Sequence, residues 1–274
     1  MGLVYVNGTL CEPDAAALSI FDHGLVVGDG VFETVLITNA RPFALSRHLE
    51  RLERSAKGLG IAAPEREVFE QATAEVVAAS GLTRGRLRIT LTAGRGALGS
   101  SRSGAAASLV VAAEALPAAK PTARVAVVPW TRNERGALVG LKTTSYAENA
   151  LALAEAERRG ADEAIFGNTM GQLCEGTGSN VFVVRDGVLA TPRLSSGCLA
   201  GVTRALVLER HGALEEDLPL VTFAAGALEE AFLTSTLRGV QPISAIDAHE
   251  LPCPGPITVA VAAVYDRLVE EGLD

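Results

Sequence analysis

Lysine is nearly missing from this sequence. Of 274 residues only Lys57, Lys120 and Lys142 are lysine, against twenty-one arginines. The basic surface is therefore built from arginine, and each lysine can be judged individually. Cysteine is equally sparse. Cys11, Cys174, Cys198 and Cys253 show no CxxC spacing, and a chain of this length needs no disulfide staples. The four histidines, His23, His48, His211 and His249, form no HxxxH pair and no cluster with cysteine, so no metal site is expected. Positive charge is in deficit, with Lys+Arg 24 against Asp+Glu 32 and a net charge of −8. Such a chain lacks the basic field that nucleic acid or an anionic membrane surface requires. Long apolar runs are absent too. The mean hydropathy of +0.27 comes from scattered Ala and Val. The richest run, Ala105 to Ala119, is broken by Ser108, Glu114 and Pro117, and a spanning helix needs roughly 20 apolar residues. The first basic residue is Arg41, which argues against a signal or transit peptide and sets a cytoplasmic expectation.

The 48% of apolar residues excludes intrinsic disorder and suffices for one large or two ordinary domains. Residues 3–10 read as a hairpin around Asn7-Gly8, and Val31 to Thr38 as a strand. Ser46 is expected to cap an amphipathic helix to Leu59, with Leu49, Leu52 and Ala56 on its apolar stripe. Pro64 opens a second helix to about Ala79. Arg86 to Ala93 and Ser108 to Ala113 read as strands. Residues 114–124 carry Pro117 and Pro121 with little periodicity, and form the best linker candidate. Beyond it, Arg124 to Pro129 reads as a strand. Ser145 and Glu148 have capping-box spacing before a helix that ends at Gly160. Residues 164–191 read as a four-strand meander. A helix runs from about Val202 to Gly212, a strand covers Ala231 to Thr234, and a last helix covers about Ile257 to Glu270. The pattern is mixed α+β, not a strict βαβ alternation.

Gly94-Arg-Gly-Ala-Leu-Gly99 has dinucleotide-loop spacing, but Ser100-Ser-Arg-Ser-Gly104 follows where a helix would have to open, so it reads as a loop. Gly140-Leu-Lys142-Thr143 fails as a phosphate loop because Leu141 separates glycine from lysine. Lys57 and Lys120 read as solvated. Lys142 ends an apolar stretch just before a helix start, where burial and the helix N-terminus would both lower its pKa and free a nucleophilic amine. Taken alone, a snorkelling lysine at a strand end is the preferred reading. Glu175, between strand-like segments and beside Gly-Thr-Gly, needs a cationic partner. Gly201-Val-Thr-Arg204 opens a helix whose free N–H groups, with Thr203, suit an anion or an ordinary cap. Thr234-Ser235-Thr236 offers hydroxyls at a strand end. The periodicity of its helix puts Arg51 on the surface.

Several ordered segments together resemble the class IV pyridoxal-phosphate enzymes, which include branched-chain and D-amino-acid aminotransferases and 4-amino-4-deoxychorismate lyase. They are Phe21-Asp-His-Gly24, Gly28-Asp-Gly-Val-Phe-Glu-Thr34, His48-Leu-Glu-Arg-Leu52, Leu141-Lys-Thr-Thr-Ser-Tyr-Ala-Glu-Asn149, Glu175-Gly-Thr-Gly-Ser-Asn-Val-Phe182 and Gly201-Val-Thr-Arg204. The resemblance implies an α+β, two-domain fold-type IV enzyme. It would have a small N-terminal α/β domain over 1–117, a linker over 118–124 and a larger, barrel-like cofactor-binding domain over 125–274.

The resemblance also implies pyridoxal 5′-phosphate as cofactor, with Lys142 as its Schiff-base lysine and proton carrier and Glu175 on the pyridine nitrogen. Arg51, Val202, Thr203 and Thr236 would cradle the phosphate, overriding the surface reading of Arg51. Ser179 and Asn180 join the cofactor contacts, and Arg95, Phe32, Thr34 and Tyr146 the substrate contacts. The resemblance further implies a homodimer with the active site near the subunit boundary and a small amine or amino-acid substrate. The first reading within the family is 4-amino-4-deoxychorismate lyase, releasing pyruvate to give 4-aminobenzoate. The alternative is a transaminase of amino acids or amines. A branched-chain role fits less well, since Thr34-Val35-Leu36 stands where those enzymes carry a Gly-Ile-Arg-like stretch. A non-catalytic module would have been expected to lose Lys142 or Glu175, and both are present.

Overall fold

The computed structural model describes residues 2–274. Their contacts divide into two compact units. One comprises the chain up to Ala118 with Leu141–Tyr146 and Glu271–Asp274; the other comprises Ala119–Gly140 and Ala147–Glu270.

The first unit is an antiparallel sheet with helices. Strands β1 (Val4–Val6) and β2 (Thr9–Cys11) form the expected hairpin, with Asn7 and Gly8 both at positive φ, as a two-residue turn requires. A short helix α1 (His23–Val26) precedes β3 (Gly30–Thr38) and β4 (Arg41–Pro42). Helices α2 (Leu45–Leu59) and α3 (Arg66–Ser80) follow, then β5 (Arg84–Thr92) and β6 (Ser108–Ala115). The sheet order is β2-β1-β6-β5-β3-β4. Leu49, Leu52 and Ala56 of α2 and Phe69, Ala72 and Val76 of α3 share one core with Val35, Ile37, Leu87 and Ile89 of the sheet, as amphipathic stripes at helical spacing should.

Two local expectations fail here for the same reason, a tertiary partner taking over a polar side chain. Ser46 is not the cap of α2. Ala44 occupies that position in a left-handed conformation, and Ser46 donates instead to the carboxylate of Asp274. Ser145 and Glu148 form no capping box: the Ser145 hydroxyl donates to the Gly28 carbonyl at 3.0 Å, and Glu148 pairs with Arg132.

Residues 141–146 run as an extended segment along the start of β3. The Phe32 N–H donates to the Lys142 carbonyl (3.0 Å), and the Thr144 N–H donates to the Gly30 carbonyl (2.8 Å). The Lys142 N–H donates to Ser55 Oγ on α2 (3.1 Å). Gly30 is required there, because a Cβ would lie 2.9 Å from Thr144 Oγ1 and 3.0 Å from the Leu91 carbonyl oxygen.

The second unit holds a nine-stranded mixed sheet. In chain order its elements are β7 (Ala123–Arg132), α4 (Ala147–Arg158), β8 (Glu163–Asn168), β9 (Leu173–Gly176), β10 (Asn180–Arg185), β11 (Val188–Pro192), α5 (Val202–Arg210), β12 (Leu214–Glu216), α6 (Leu220–Ala224), β13 (Glu230–Ser235), β14 (Gly239–Ile246), β15 (His249–Glu250) and α7 (Pro256–Glu271). The order is β12-β11-β10-β13-β14-β7-β8-β9, with β15 on β14. The four strands read over 164–191 are β8 to β11, but they form no meander: β8 pairs with β9 and β10 with β11, and β13, β14 and β7 stand between the two hairpins. Strand β14 is legible only in the structure, because Pro242 interrupts it; its ladder with β7 begins at Ile243, one residue beyond the proline. Phe182 of β10 stacks on Phe232 of β13 with centroids 5.0 Å apart, in a core shared with Val207 of α5 and Val261 of α7. Among the described residues no helix is long and apolar enough to cross a membrane, and no group of three or more His, Cys, Asp or Glu could hold a metal ion.

Candidate active site

In the first unit the site grows from β3. Its alternation sends Glu33 toward α2, while Phe32 and Thr34 take the opposite side. Phe32 is met by Tyr146 edge-on, with centroids 5.3 Å apart and planes at 84°. Lys142 is half-buried, and its Nζ lies 4.4 Å from the Phe32 centroid and 5.9 Å from that of Tyr146. The lysine is thus gripped through its backbone on both sides and shielded by two rings. Helix α4 begins at Ala147, five residues beyond Lys142.

Arg88 of β5, opposite Thr34 in the ladder, places its guanidinium carbon 3.7 Å from the same Phe32 centroid. No carboxylate among the described residues pairs with it. The sequence hid this residue, because Arg84, Arg86 and Arg88 alternate identically along β5, and only the structure shows that Arg86 is neutralised by Glu114. Thr34 is half-buried, and Arg95 is exposed on the loop after β5.

Arg51 overturns the surface reading. Its side chain is 6% exposed and the Glu33 side chain 0%. Arg51 Nε donates to Glu33 Oε1 and Nη2 to Oε2, both at 2.7 Å, and His48 Nδ1 lies 2.7 Å from Oε2. His48, Arg51 and Ser55 form a polar row beside the apolar stripe, and the carboxylate of Glu33 is what makes burying that row possible. Burial alone would raise the Glu33 pKa, but Arg51 and His48 outweigh it and hold the carboxyl well below its ordinary value. Burial pushes the His48 imidazole down, against the pull of Glu33.

The second unit presents the other group of candidates. Glu175, on β9, accepts a hydrogen bond at Oε2 from the Leu199 N–H (2.9 Å), while Arg132 Nε lies 3.4 Å from Oε1. Arg132 is the cationic partner that the sequence required but did not identify. It is itself stacked on Phe166, 4.0 Å from the centroid. Asn180 donates to the Leu199 carbonyl (2.8 Å), so the residues on either side of Leu199's backbone fix one short segment ahead of α5. A Cβ on Gly201 would lie 2.0 Å from Asn180 Oδ1, which obliges glycine there. Val202 and Thr203 are buried at the N-terminus of α5, which has no side-chain cap. Ser179 gives its hydroxyl to Glu163 (3.2 Å), and Thr236 is half-buried in the turn after β13.

Taken unit by unit, these residues fit parts of a cofactor with an aldehyde, a ring nitrogen and a phosphate. A shielded primary amine suits the first, a carboxylate held in place by a guanidinium and an N–H suits the second, and an uncapped helix start suits the third. The buried hydroxyl of Thr234, beside Asn180 in the ladder, has no hydrogen-bond partner, a polar atom that a ligand in this turn could satisfy.

Residues 30–246 match the family described as amino-transferase class IV. An aminodeoxychorismate lyase of Bacillus subtilis is 31% identical over 282 residues, covering 98% of this chain and 95% of its own. A D-alanine aminotransferase of Bacillus licheniformis is 32% identical over 279 residues, covering 98% of both. Among solved structures, the branched-chain aminotransferase of the archaeon Thermoproteus uzoniensis, crystallised with norvaline, superposes with a TM-score of 0.92 at 34% identity, covering 98% of this chain and 96% of that one. This chain has the fold of these enzymes, fold type IV.

Proposed function

The chain belongs to the class IV aminotransferase family of pyridoxal-phosphate enzymes, and on that premise we propose that it is an aminotransferase of amino acids in which Lys142 bonds the cofactor. The observation that carries the substrate class is Arg88, a guanidinium with no acid on it among the described residues, set against the same Phe32 ring as Lys142. An amine that also bears a carboxylate complements that arrangement.

When bound, pyridoxal 5′-phosphate supplies an aldehyde that condenses with amines and a ring that accepts electrons. Lys142 Nζ accepts and returns the proton at the substrate carbon. Glu175 takes the ring nitrogen, oriented by Arg132 and Leu199. In the second unit Val202, Thr203 and Thr236 would hold the phosphate; the family resemblance adds Arg51, whose guanidinium is already paired with Glu33. Phe32 and Tyr146 limit water around the lysine. Exposed Ile20, Leu25 and Leu98, at 70%, 71% and 72%, are what a second copy of this chain would cover in the expected homodimer; sedimentation as a monomer would remove that assignment.

A second reading, 4-amino-4-deoxychorismate lyase, is favoured by the similarity to the B. subtilis lyase. Single L- and D-amino acids, added without any oxo acid, separate the two. The aminotransferase reading expects the bound cofactor to convert to its pyridoxamine form with at least one of them. No conversion, together with release of 4-aminobenzoate from 4-amino-4-deoxychorismate, selects the lyase. In either case Arg88→Ala should raise KM for the carboxylate-bearing substrate about 10–100-fold, the loss of a charged hydrogen bond of about 1.5–3 kcal/mol. An unchanged KM would free Arg88 from substrate binding.

A further inference from the structure

Glu163, the first residue of β8, is not where a sequence places a buried acid, yet its side chain is 3% exposed. A carboxylate in such a place is costly unless its lone pairs are filled. Here all four positions are. Oε1 accepts from the Thr177 N–H (2.9 Å) and from the Thr177 hydroxyl. Oε2 accepts from the Ser179 hydroxyl (3.2 Å) and from Arg238 Nη2 (2.6 Å). The turn that follows Glu175 is moulded onto this carboxylate: a Cβ on Gly176 would lie 2.4 Å from Ser179 Oγ and 3.2 Å from the Glu163 carboxyl carbon.

Arg238 performs the matching task on the turn between β13 and β14. Its Nε donates to Ser235 Oγ (3.2 Å), its backbone N–H points to the same oxygen at 3.4 Å, and Nη1 donates to Gln241 Oε1 (3.3 Å). The guanidinium thus closes the turn that carries Thr236 and hands its remaining nitrogen to Glu163.

We propose that Glu163 and Arg238 are a pair of positioning residues that fixes the spacing between Glu175 and Thr236, the groups of this unit assigned to the ring nitrogen and the phosphate of the cofactor. The proposal rests on the cofactor reading above. Neither residue is assigned a contact with the cofactor; each acts through a turn that makes one. An arginine that contacted the phosphate directly would matter without Glu163, whereas a positioning pair fails as a unit.

The test is a double-mutant cycle on cofactor affinity, measured by titrating the apoprotein with pyridoxal 5′-phosphate. Glu163→Gln and Arg238→Gln are each expected to weaken binding about 10–100-fold, and the double variant no more than the worse single one. The visible band of the bound cofactor should shift in both single variants, because Glu175 no longer meets the ring nitrogen at the same place. If Glu163→Gln does not fold, Arg238→Lys, which keeps the charge and loses the planar fork, carries the test with the same expected loss and band shift. Multiplicative losses in the double variant, or wild-type affinity and band in both singles, would overturn the pair. A wild-type protein that forms no borohydride-stable adduct at Lys142 would instead overturn the cofactor reading beneath it.

Discussion

Lys142→Ala is expected to abolish turnover while leaving the fold in place. The loss should be at least about 10²–10⁴-fold, the span for removing a general acid–base alone, and greater where the amine also bonds the cofactor. The other lysines cannot substitute. Lys57 is exposed on α2, and Lys120 is 71% exposed and paired with Asp162. The fold should survive because backbone atoms hold Lys142 in place: its N–H donates to Ser55 Oγ and its carbonyl accepts from the Phe32 N–H. Steady-state rates and a thermal melt of the cofactor-free protein check both halves. Activity within tenfold of wild type would contradict the assignment.

Arg51→Ala is expected to be the most destabilising change at the site. It leaves the Glu33 carboxylate, which has no solvent exposure, with only His48. Breaking a buried ion pair from one side costs about 3–5 kcal/mol, roughly 6–20 °C in melting temperature at about 2–4 °C per kcal/mol. Removing both charges, in Glu33→Leu with Arg51→Met, should cost less than Arg51→Ala alone. The pH dependence has a definite sign. Glu33 is held below its ordinary 4.5 and His48 below its ordinary 6.5. Each therefore contributes stability that is present above its unfolded value and lost as pH falls toward the folded one. The melting temperature of the wild type should decline as pH drops below about 6.5 and continue to decline below about 4.5, and Glu33→Gln should flatten the part below about 4.5. Cofactor retention should weaken in Arg51→Ala as well. A melt unchanged from wild type would mean that the Glu33–Arg51 pair stabilises nothing.

Much of the fold was legible because it rests on local rules. The Asn7-Gly8 hairpin, the stripes of α2 and α3 and the strand rhythm of residues 163–192 depend on neighbours in sequence. What escaped depends on partners far along the chain. Pro242 disguises β14, whose place is set by β7 and β13. Ser145 and Glu148 have the spacing of a cap, yet each finds a tertiary partner instead. Arg51 is polar on the edge of an apolar stripe, and only Glu33, eighteen residues earlier, explains its burial. At the site, Lys142 stood out because lysine is so scarce, whereas Glu175 gained its weight from the family resemblance. Arg132, Arg88 and the Glu163–Arg238 pair gave no signal, because an arginine's role is decided by whether an acid lies within reach, and in this chain arginine is the default basic residue.

The most direct measurement is reduction of the pyridoxal-phosphate-loaded protein with borohydride, followed by digestion and mass analysis of the peptides. A single phosphopyridoxyl group is expected on the peptide carrying Leu141-Lys142-Thr143, with loss of the yellow colour. A label on Lys57 or Lys120, or no label on a protein that takes up the cofactor, would contradict it.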